Sequence, residues 1–358
     1  MIAAFSRLKT SVTAMISGDS SAANSDFDST VYADAAFTEI FKRCDHPSVR
    51  SLKLSCQRFY ILLSDPYLWI QRCEKEGKVL PPLSLRRALA ELEENEENAD
   101  CYFDYELMYV RDPYRRNLAP ILLSSVEEMV NKKLYKTHED GYCPYTDSGT
   151  KMIVEEPPAG TKHRDDIPRC IATSHQWSRR LVQVDLLKEG VQEWVLDKLR
   201  PRIVVSEWVA ARFDCSSQYQ MHAQLLQTDE HFDARIDLPQ RFRKEEKMFL
   251  QWNDATWHKV EIVFEDYPVG VRSVAVMSAG KDCQYWAGHY GTKFANLEIR
   301  IELPDELRIL TAEDFPDGEK MFGNGDTPYL GRPWHNSLRM PLGRPAGLRG
   351  RIARFHRM

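Results

Sequence analysis

Long hydrophobic runs are absent from this 358-residue sequence. No apolar stretch approaches the roughly eighteen residues that a membrane helix needs. The apolar start MIAAF is interrupted by Arg7 and Lys9 before it could form the core of a signal peptide. No Asn-x-Ser/Thr glycosylation acceptor is present, so nothing indicates a secretory route. We therefore expect a protein of the cytoplasm or the nucleus that has no membrane partner.

Paired cysteines and the short motifs of common enzymes are absent as well. The eight cysteines are widely spaced and form no Cys-x-x-Cys pair, which argues against a zinc ribbon or a disulfide framework. The sequence contains no P-loop, no His-Glu-x-x-His and no Gly-x-Ser-x-Gly. We predict no catalytic residue, no metal site and no cofactor. An acid-base set of His175, Asp214 and either His289 or Asp282 is the enzymatic alternative, which we disfavour because lone histidines are usually structural.

Charge is distributed unevenly along the chain. The net charge is −5, yet residues 327–358 contain seven arginines and no acidic residue. This segment is rich in Pro and Gly and lacks a clear period, so we predict that the extension 306–358 ends in a disordered basic tail. Its arginines are spaced rather than clustered, which disfavours a nucleic-acid partner. Residues 1–30 are rich in Ser, Ala and Asp and are also predicted to be disordered.

The chain between these tails changes its hydrophobic period twice. Residues 31–76 repeat apolar side chains at helical spacing, with Pro47 and Pro66 as breaks, and predict three short helices. Residues 77–159 are helical at first and then mixed, and we assign them to a linker region. Residues 160–305 alternate apolar and polar side chains in several short runs, which predicts an antiparallel β-sandwich. The expected fold class is therefore α+β with more than one domain, as the length also suggests.

The helical segment carries a recognisable motif. The stretch DAAFTEIFKRCDHPSVRSLKLSCQRFYILLSDPYLW resembles an F-box. The matching residues are Ile40, Phe41, Leu52, Cys56, Phe59, Leu68 and Trp69, whereas Tyr32 and Ala33 stand where the family begins with Leu-Pro. An F-box implies docking to a Skp-type adaptor and, through it, to a cullin ubiquitin ligase.

The β-rich segment resembles the F-box-associated domain of the sugar-binding F-box proteins. The similarity runs from HQWSRRLVQVDLL through DCQYWAGHYGTKFANLEIRI and covers about 130 residues. It implies a galactose-binding-like, jelly-roll type of sandwich that selects the substrate of the ligase. The expected role is a non-catalytic subunit that presents misfolded or retrotranslocated N-glycosylated proteins for ubiquitination and degradation.

The F-box resemblance implies which side chains contact the adaptor. A helical unit of some 45 residues cannot bury all its apolar surface alone, so part of that surface suits a partner. We expect an exposed face of Phe37, Phe41, Leu54, Leu62 and Leu63, with packing on the following helix and the sandwich as the alternative. The full predicted adaptor-binding set is Phe37, Ile40, Phe41, Leu52, Leu54, Phe59, Leu62, Leu63, Leu68 and Trp69.

The second resemblance implies a glycan site in loops at one end of the sandwich. A Tyr-Trp pair in the family holds the chitobiose core of an N-linked glycan, and Tyr285 and Trp286 match that pair. The full predicted site is His175, Asp214, Tyr285, Trp286 and Ala287, in which His175 and Ala287 replace a phenylalanine and a lysine of some members. Burial of the Tyr-Trp pair in the core is the alternative.

Two further expectations concern the sandwich and its ligand. Trp177, Trp194, Trp208, Trp252 and Trp257 are predicted to fill its core, and Gly270 to form a turn before a central strand at positive φ. A fragment of residues 160–305 should then fold alone. The same loops could instead recognise a protein degron, which is the alternative to a glycan.

Overall fold

The computed structural model describes residues 24–92, 101–119, 142–146, 152–233 and 238–306. Six α-helices come first among these residues and ten β-strands follow. The predicted α+β class, a helical module followed by an antiparallel β-sandwich, is confirmed. Within the described residues no helix is both long and apolar enough to cross a membrane.

Five of the six helices have ten residues or fewer, and caps or prolines mark where several of them begin. They are α1 Asn24–Phe41, α2 His46–Lys53, α3 Gln57–Leu63, α4 Pro66–Lys75, α5 Leu83–Leu92 and α6 Tyr105–Arg111. Asp65 caps α4 by accepting a 2.9 Å hydrogen bond from the Tyr67 amide, and Asp104 caps α6 in the same way. Helix α1 begins inside the segment predicted to be a disordered tail, which corrects that prediction for residues 24–30. The rest of both predicted tails lies outside the described residues, apart from Glu306.

The helical module has a core of its own. Phe41, Leu63, Leu68 and Trp69 are each at most 2% exposed and pack with Val49 and Cys73. The Trp69 indole donates a 2.8 Å hydrogen bond to the Leu63 carbonyl, which joins α4 to the end of α3. The expectation that Phe41 and Leu63 lie on an exposed face is therefore wrong: both side chains hold the module together. The exposed apolar side chains here are Ile40, Leu54, Tyr60, Ile61 and Tyr67.

Two five-stranded sheets form the sandwich. The strands are β1 Tyr142–Thr146, β2 Ile153–Glu155, β3 Cys170–Ala172, β4 Ser178–Asp185, β5 Arg202–Ala210, β6 Ser217–Leu226, β7 Phe242–Phe249, β8 His258–Phe264, β9 Ser273–Asp282 and β10 Lys293–Glu302. The sheet orders are β1-β4-β9-β6-β7 and β2-β3-β10-β5-β8. Every pairing is antiparallel. The helical stretch before β5 ends in a π-helical segment, Val195–Leu199.

The sandwich begins before the predicted boundary at residue 160. Strands β1 and β2 add to the two sheets, and the hydrophobic core includes Met108, Leu118 and Met152. The Leu118 amide donates a 2.8 Å hydrogen bond to the Ile299 carbonyl of β10, while Asn117 bonds to the backbone of the same strand. The segment that the sequence analysis assigns to a linker thus supplies part of the β domain.

The tryptophans do not fill the core as predicted. Trp257 is buried, but Trp252 is 72% exposed, and Trp177, Trp194 and Trp208 are only partly buried. The core is built mainly from aliphatic strand residues, with Tyr219, Tyr267, Phe264 and Phe294 as its large fully buried rings. The prediction for Gly270 is confirmed, since it has φ of 87° in the turn before β9, the central strand of its sheet.

Candidate functional site

Four loops meet at one end of the sandwich because of the strand registers. Ser217 lies opposite both Asp282 and Phe249 in the first sheet, and Ser178 lies opposite Gly280. In the second sheet Lys293 lies opposite both Ala172 and Ala210. Four loops therefore cross from one sheet to the other at the same end of the sandwich. They are loops 173–177, 211–216, 250–257 and 283–292. We call these four loops together the loop end.

The loop after β9 presents the Tyr-Trp pair to solvent. Tyr285 is 75% exposed and Trp286 is 38% exposed, so the alternative of a buried pair is wrong. Asp282 is buried, and its Oδ1 accepts hydrogen bonds from the amides of Gln284 at 3.0 Å and Tyr285 at 2.6 Å. These bonds hold Tyr285 in the left-handed region, at φ of 58°. Asp282 thereby sets the turn that directs both rings outward.

Trp286 is supported from one side by a second aromatic ring. The centroids of Trp286 and Tyr290 are 5.4 Å apart in an edge-to-face arrangement. The Arg212 guanidinium lies over the Tyr290 ring, 4.6 Å from its centroid. An indole packed in this way keeps one orientation while part of its surface remains accessible.

Asp214 is paired with Arg212 two residues before it. The guanidinium Nε and one terminal nitrogen donate to the two carboxylate oxygens at 3.0 Å each. This hydrogen bonding is the main reason why the pKa of Asp214 is lowered and the pKa of Arg212 is raised. An ionised carboxylate can accept further hydrogen bonds beyond those from Arg212, so Asp214 can still bind a hydroxyl group.

His175 lies in the neighbouring loop and is half-buried. The Ser174 hydroxyl donates a 2.7 Å hydrogen bond to the Gly288 carbonyl and lies 3.1 Å from His175 Nδ1. Since the hydroxyl hydrogen is directed at the Gly288 carbonyl, His175 Nδ1 can donate to the hydroxyl oxygen, and in that tautomer Nε2 is an acceptor. The hydrogen bond from Ser174 to Gly288 also links loop 173–177 to loop 283–292, which brings His175 and the Tyr-Trp pair to the same end of the sandwich.

Gly291 allows the same two loops to approach closely. Its amide donates a 2.9 Å hydrogen bond to the Thr173 carbonyl. A Cβ at this position would lie 2.3 Å from Thr173 Oγ1 and 2.8 Å from the Ser174 carbonyl oxygen, distances that no side chain tolerates. Gly288 in the same loop has φ of 120°, a conformation that residues with a side chain rarely adopt.

Two exposed aromatic residues at the loop end were not predicted from the sequence. Phe213 lies next to Asp214 and is 48% exposed, and Trp252 had been assigned to the core. Their ring centroids are 6.3 Å apart. A signal was available, because Trp252 sits in QWND among turn-forming residues rather than in an alternating run. Ala287, the last predicted member of the site, is exposed beside Trp286.

The enzymatic alternative receives no support from the arrangement of its residues. Asp282 is buried and its carboxylate caps a turn, and Asp214 is engaged by Arg212. In the part of the chain that the structure describes, no group of three or more His, Cys, Asp or Glu side chains could hold a metal ion. The loop end offers a surface of exposed aromatic rings, with the Asp214 carboxylate and the His175 imidazole among its polar groups.

Comparison with known proteins identifies the family. The sequence model of the F-box associated region matches residues 109–301, more than half of the chain. The chain belongs to the F-box-only proteins. Human F-box only protein 6 is 30% identical over 286 residues, which cover 77% of this chain and 85% of that protein. Bovine F-box only protein 6 is 32% identical over 72% of this chain and 87% of that protein, and bovine F-box only protein 2 is 26% identical over 71% and 77%.

The family match agrees with the domain limits in the structure. Its start at residue 109 includes the segment whose Asn117 and Leu118 bond to β10, and its end lies within that strand. Among solved structures, TmCBM61 in complex with β-1,4-galactotriose aligns with 52% of this chain and 99% of its own at a TM-score of 0.31 and 10% identity. That similarity is too low to indicate a ligand for this F-box-only protein.

Proposed function

We propose that this F-box-only protein is the substrate-recognition subunit of a Skp-cullin-F-box ubiquitin ligase that binds N-glycosylated proteins through the loop end. The helical module docks the Skp-type adaptor, and the adaptor brings the cullin. Misfolded or retrotranslocated glycoproteins held at the loop end are then presented for ubiquitination and proteasomal degradation in the cytoplasm. The protein contributes proximity rather than catalysis, because it holds the substrate near the ubiquitin-loaded enzyme.

The exposed Trp286 carries the glycan part of this proposal. A braced indole at the end of a β-sandwich offers a flat apolar surface of the kind that covers the apolar face of a sugar ring. Asp214 and His175 supply acceptors for the hydroxyl groups around that face. The loop end therefore combines the two kinds of contact that a chitobiose unit needs.

The affinity of one such contact is small. Covering about 50 Å² of indole at about 25 cal/mol per Å² contributes roughly 1 kcal/mol. Useful binding therefore requires Tyr285, Trp286 and the polar groups together, or several glycans on one substrate. This requirement suits a receptor for glycoproteins better than a receptor for free sugars.

Replacement of Trp286 by alanine tests the proposal directly. The side chain is partly exposed and outside the sandwich core, so Trp286→Ala should change the free energy of unfolding by no more than about 1 kcal/mol. Capture of chitobiose-bearing glycoproteins by the full chain should fall by about fivefold or more. Tyr102→Ala removes another exposed ring, away from the loop end, and serves as the matched control. A folded Trp286→Ala protein that binds as well as the parent would contradict the glycan site.

Recognition of a non-glycan protein degron is the second candidate. The exposed side chains of Phe213, Leu250 and Trp252 favour it, because they form apolar surface beside the proposed sugar site. A glycan array probed with the full chain separates the two functions. Selective signals for chitobiose-bearing glycans support the glycan receptor, and an empty array together with capture of unglycosylated substrate supports the degron receptor.

A further inference from the structure

The loop end carries a second apolar surface that the proposed sugar contacts do not use. Phe213, Leu250 and Trp252 are 48%, 72% and 72% exposed, and we call these three residues the aromatic platform. Among the described residues sixteen large hydrophobic side chains are exposed, and five of them belong to the platform or the Tyr-Trp pair. Since isolated exposed hydrophobic residues are common but contiguous patches are not, this concentration indicates a binding surface.

Hydrogen bonds to the backbone hold the platform in its exposed position. The Asn253 side-chain amide donates to the carbonyls of Arg212 at 2.8 Å and Leu250 at 2.9 Å. The Gln251 side-chain amide donates to the Asp214 backbone carbonyl at 3.1 Å. These bonds connect loop 250–257 to loop 211–216 on both sides of Phe213. Trp252 itself is kept at φ of 64°, in the left-handed region that a bulky residue seldom adopts.

The chemistry of the platform suits apolar side chains rather than sugar hydroxyls. The amide groups of Asn253 and Gln251 donate to backbone carbonyls, and Asn253 Oδ1 accepts a 2.7 Å hydrogen bond from the Ala255 amide. The ring planes of Phe213 and Trp252 are inclined at 48° and both rings are exposed, and Leu250 adds exposed apolar surface in the same loop as Trp252. A ligand that covers this surface gains by burying apolar area and needs few hydrogen bonds.

The platform adjoins the proposed sugar site through loop 211–216. Phe213 stands between Arg212 and Asp214 in the chain, and Arg212 lies over the ring of Tyr290, which supports Trp286. The chitobiose core consists of the two sugars next to the glycosylated asparagine, and in the proposed function these two sugars contact Trp286. The polypeptide that carries this asparagine must then pass close to the sugar site, where the platform lies.

We propose that the aromatic platform binds apolar side chains of the substrate polypeptide next to its glycosylated asparagine. The inference rests on the proposed function, since the glycan brings the polypeptide to the loop end. Sugar and polypeptide are then bound at once, and each raises the local concentration of the other at its site. Affinity for a glycoprotein exceeds affinity for its glycan whenever large apolar residues flank the attachment site.

Binding of matched probes to the full chain tests this inference. The probes are free chitobiose, a glycopeptide with chitobiose on an asparagine flanked by Leu and Phe, the same glycopeptide with Gly and Ser in their place, and the unglycosylated Leu/Phe peptide. The parent protein should bind the apolar glycopeptide about tenfold more tightly than the Gly/Ser glycopeptide. The double variant Phe213→Ser, Trp252→Ser should lose this preference and keep its affinity for free chitobiose. Tyr102→Ser, an exposed ring away from the loop end, should keep the preference.

The outcomes separate this inference from the proposed function. Equal affinity of the parent for both glycopeptides, with free chitobiose bound, would overturn the platform and leave the glycan receptor intact. Persistence of the preference in a double variant with parental melting temperature would also overturn it. No binding to any probe would overturn both proposals, and equally tight binding of the unglycosylated peptide would show a site that does not depend on the glycan.

Discussion

Individual side chains at the loop end act mainly by fixing the conformation of their neighbours. Asp282 has no exposed surface to offer a ligand, yet its two hydrogen bonds to the following amides place Tyr285 and Trp286 in solvent. Arg212 likewise pairs with Asp214 and covers one face of Tyr290. The exposed rings therefore depend on buried or paired polar residues behind them.

The pairing of Asp214 with Arg212 predicts a pH dependence. Because the pKa of Asp214 is lower in the folded state than its ordinary value of 3.8, the pair stabilises the fold fully above that value. The stabilisation is lost as pH falls through the lower folded-state pKa. The difference in free energy of unfolding between the parent and Asp214→Asn should therefore be constant from about pH 8 to about pH 5 and shrink below about pH 4. Chemical denaturation across this range measures it, and a difference that vanishes by about pH 6 would exclude the pair as its source.

The close packing around Gly291 predicts that even an alanine at this position lowers the free energy of unfolding. Gly291→Ala would place a methyl group against Thr173 Oγ1 and the Ser174 carbonyl oxygen, so the two loops must separate. We expect a loss of about 1–3 kcal/mol in the free energy of unfolding. Adding Thr173→Ala should restore only part of it, because the backbone contact with Ser174 remains. A Gly291→Ala protein as stable as the parent would show that the loops are not packed as described.

Helices and strands determine which apolar residues are available to partners. In the helical module, Phe41 and Leu63 are used internally, while Ile40 at the end of α1 and Leu54 after α2 remain 55% and 79% exposed. A partner surface built on exposed residues therefore differs from the one that the motif alone suggests. Four members of the predicted adaptor-binding set are buried in the core of the module and determine its shape: Phe41, Leu63, Leu68 and Trp69.

This distinction predicts separate effects for exposed and buried positions. The double variant Ile40→Glu, Leu54→Glu should abolish co-purification with a Skp-type adaptor while leaving the melting temperature close to that of the parent. Phe41→Glu should instead unfold the module, because it buries a charge that no partner compensates. Val110→Glu changes an exposed residue of α6 and should not affect co-purification. Retained adaptor binding in the double variant would contradict the assigned face.

The two parts of the molecule share helix α6. Tyr109 packs in the core of the helical module, and its hydroxyl lies 2.8 Å from an Arg72 nitrogen that donates to it. Met108, the preceding residue, packs in the core of the sandwich. Lys53 Nζ also bonds to Glu106 of the same helix at 2.6 Å. A helix that contributes to two cores couples the helical module to the sandwich.

The earlier start of the sandwich predicts how fragments behave. A fragment of residues 160–306 lacks β1, β2 and the buried residues Leu118 and Met152. Burial of each of these two side chains is expected to stabilise the fold by about 2–5 kcal/mol. A fragment of residues 101–306 keeps them and should melt at least about 10 °C higher. Circular dichroism of the two fragments measures this difference. Equal melting temperatures would restore the boundary at residue 160.

Local patterns in the sequence determined the kinds of elements and their order. Helical spacing before residue 76 and alternation after residue 169 follow from the period of a helix and of a strand, so both could be read without a partner in space. Gly270 was predictable for a similar reason, since a turn at positive φ is a local requirement. The motif around Tyr285 and Trp286 was also visible, because its residues are contiguous.

Burial and the composition of the site were decided only by the tertiary structure. The exposure of Trp252 and the burial of Phe41 depend on which elements pack against them, and the side-chain type does not contain that information. His175 and Asp214 reach the Tyr-Trp loop because the registers of ten strands bring four crossing loops to one edge. Such contacts join residues more than 100 positions apart, so they arise from the closed pairing of the whole sandwich rather than from any segment of the chain.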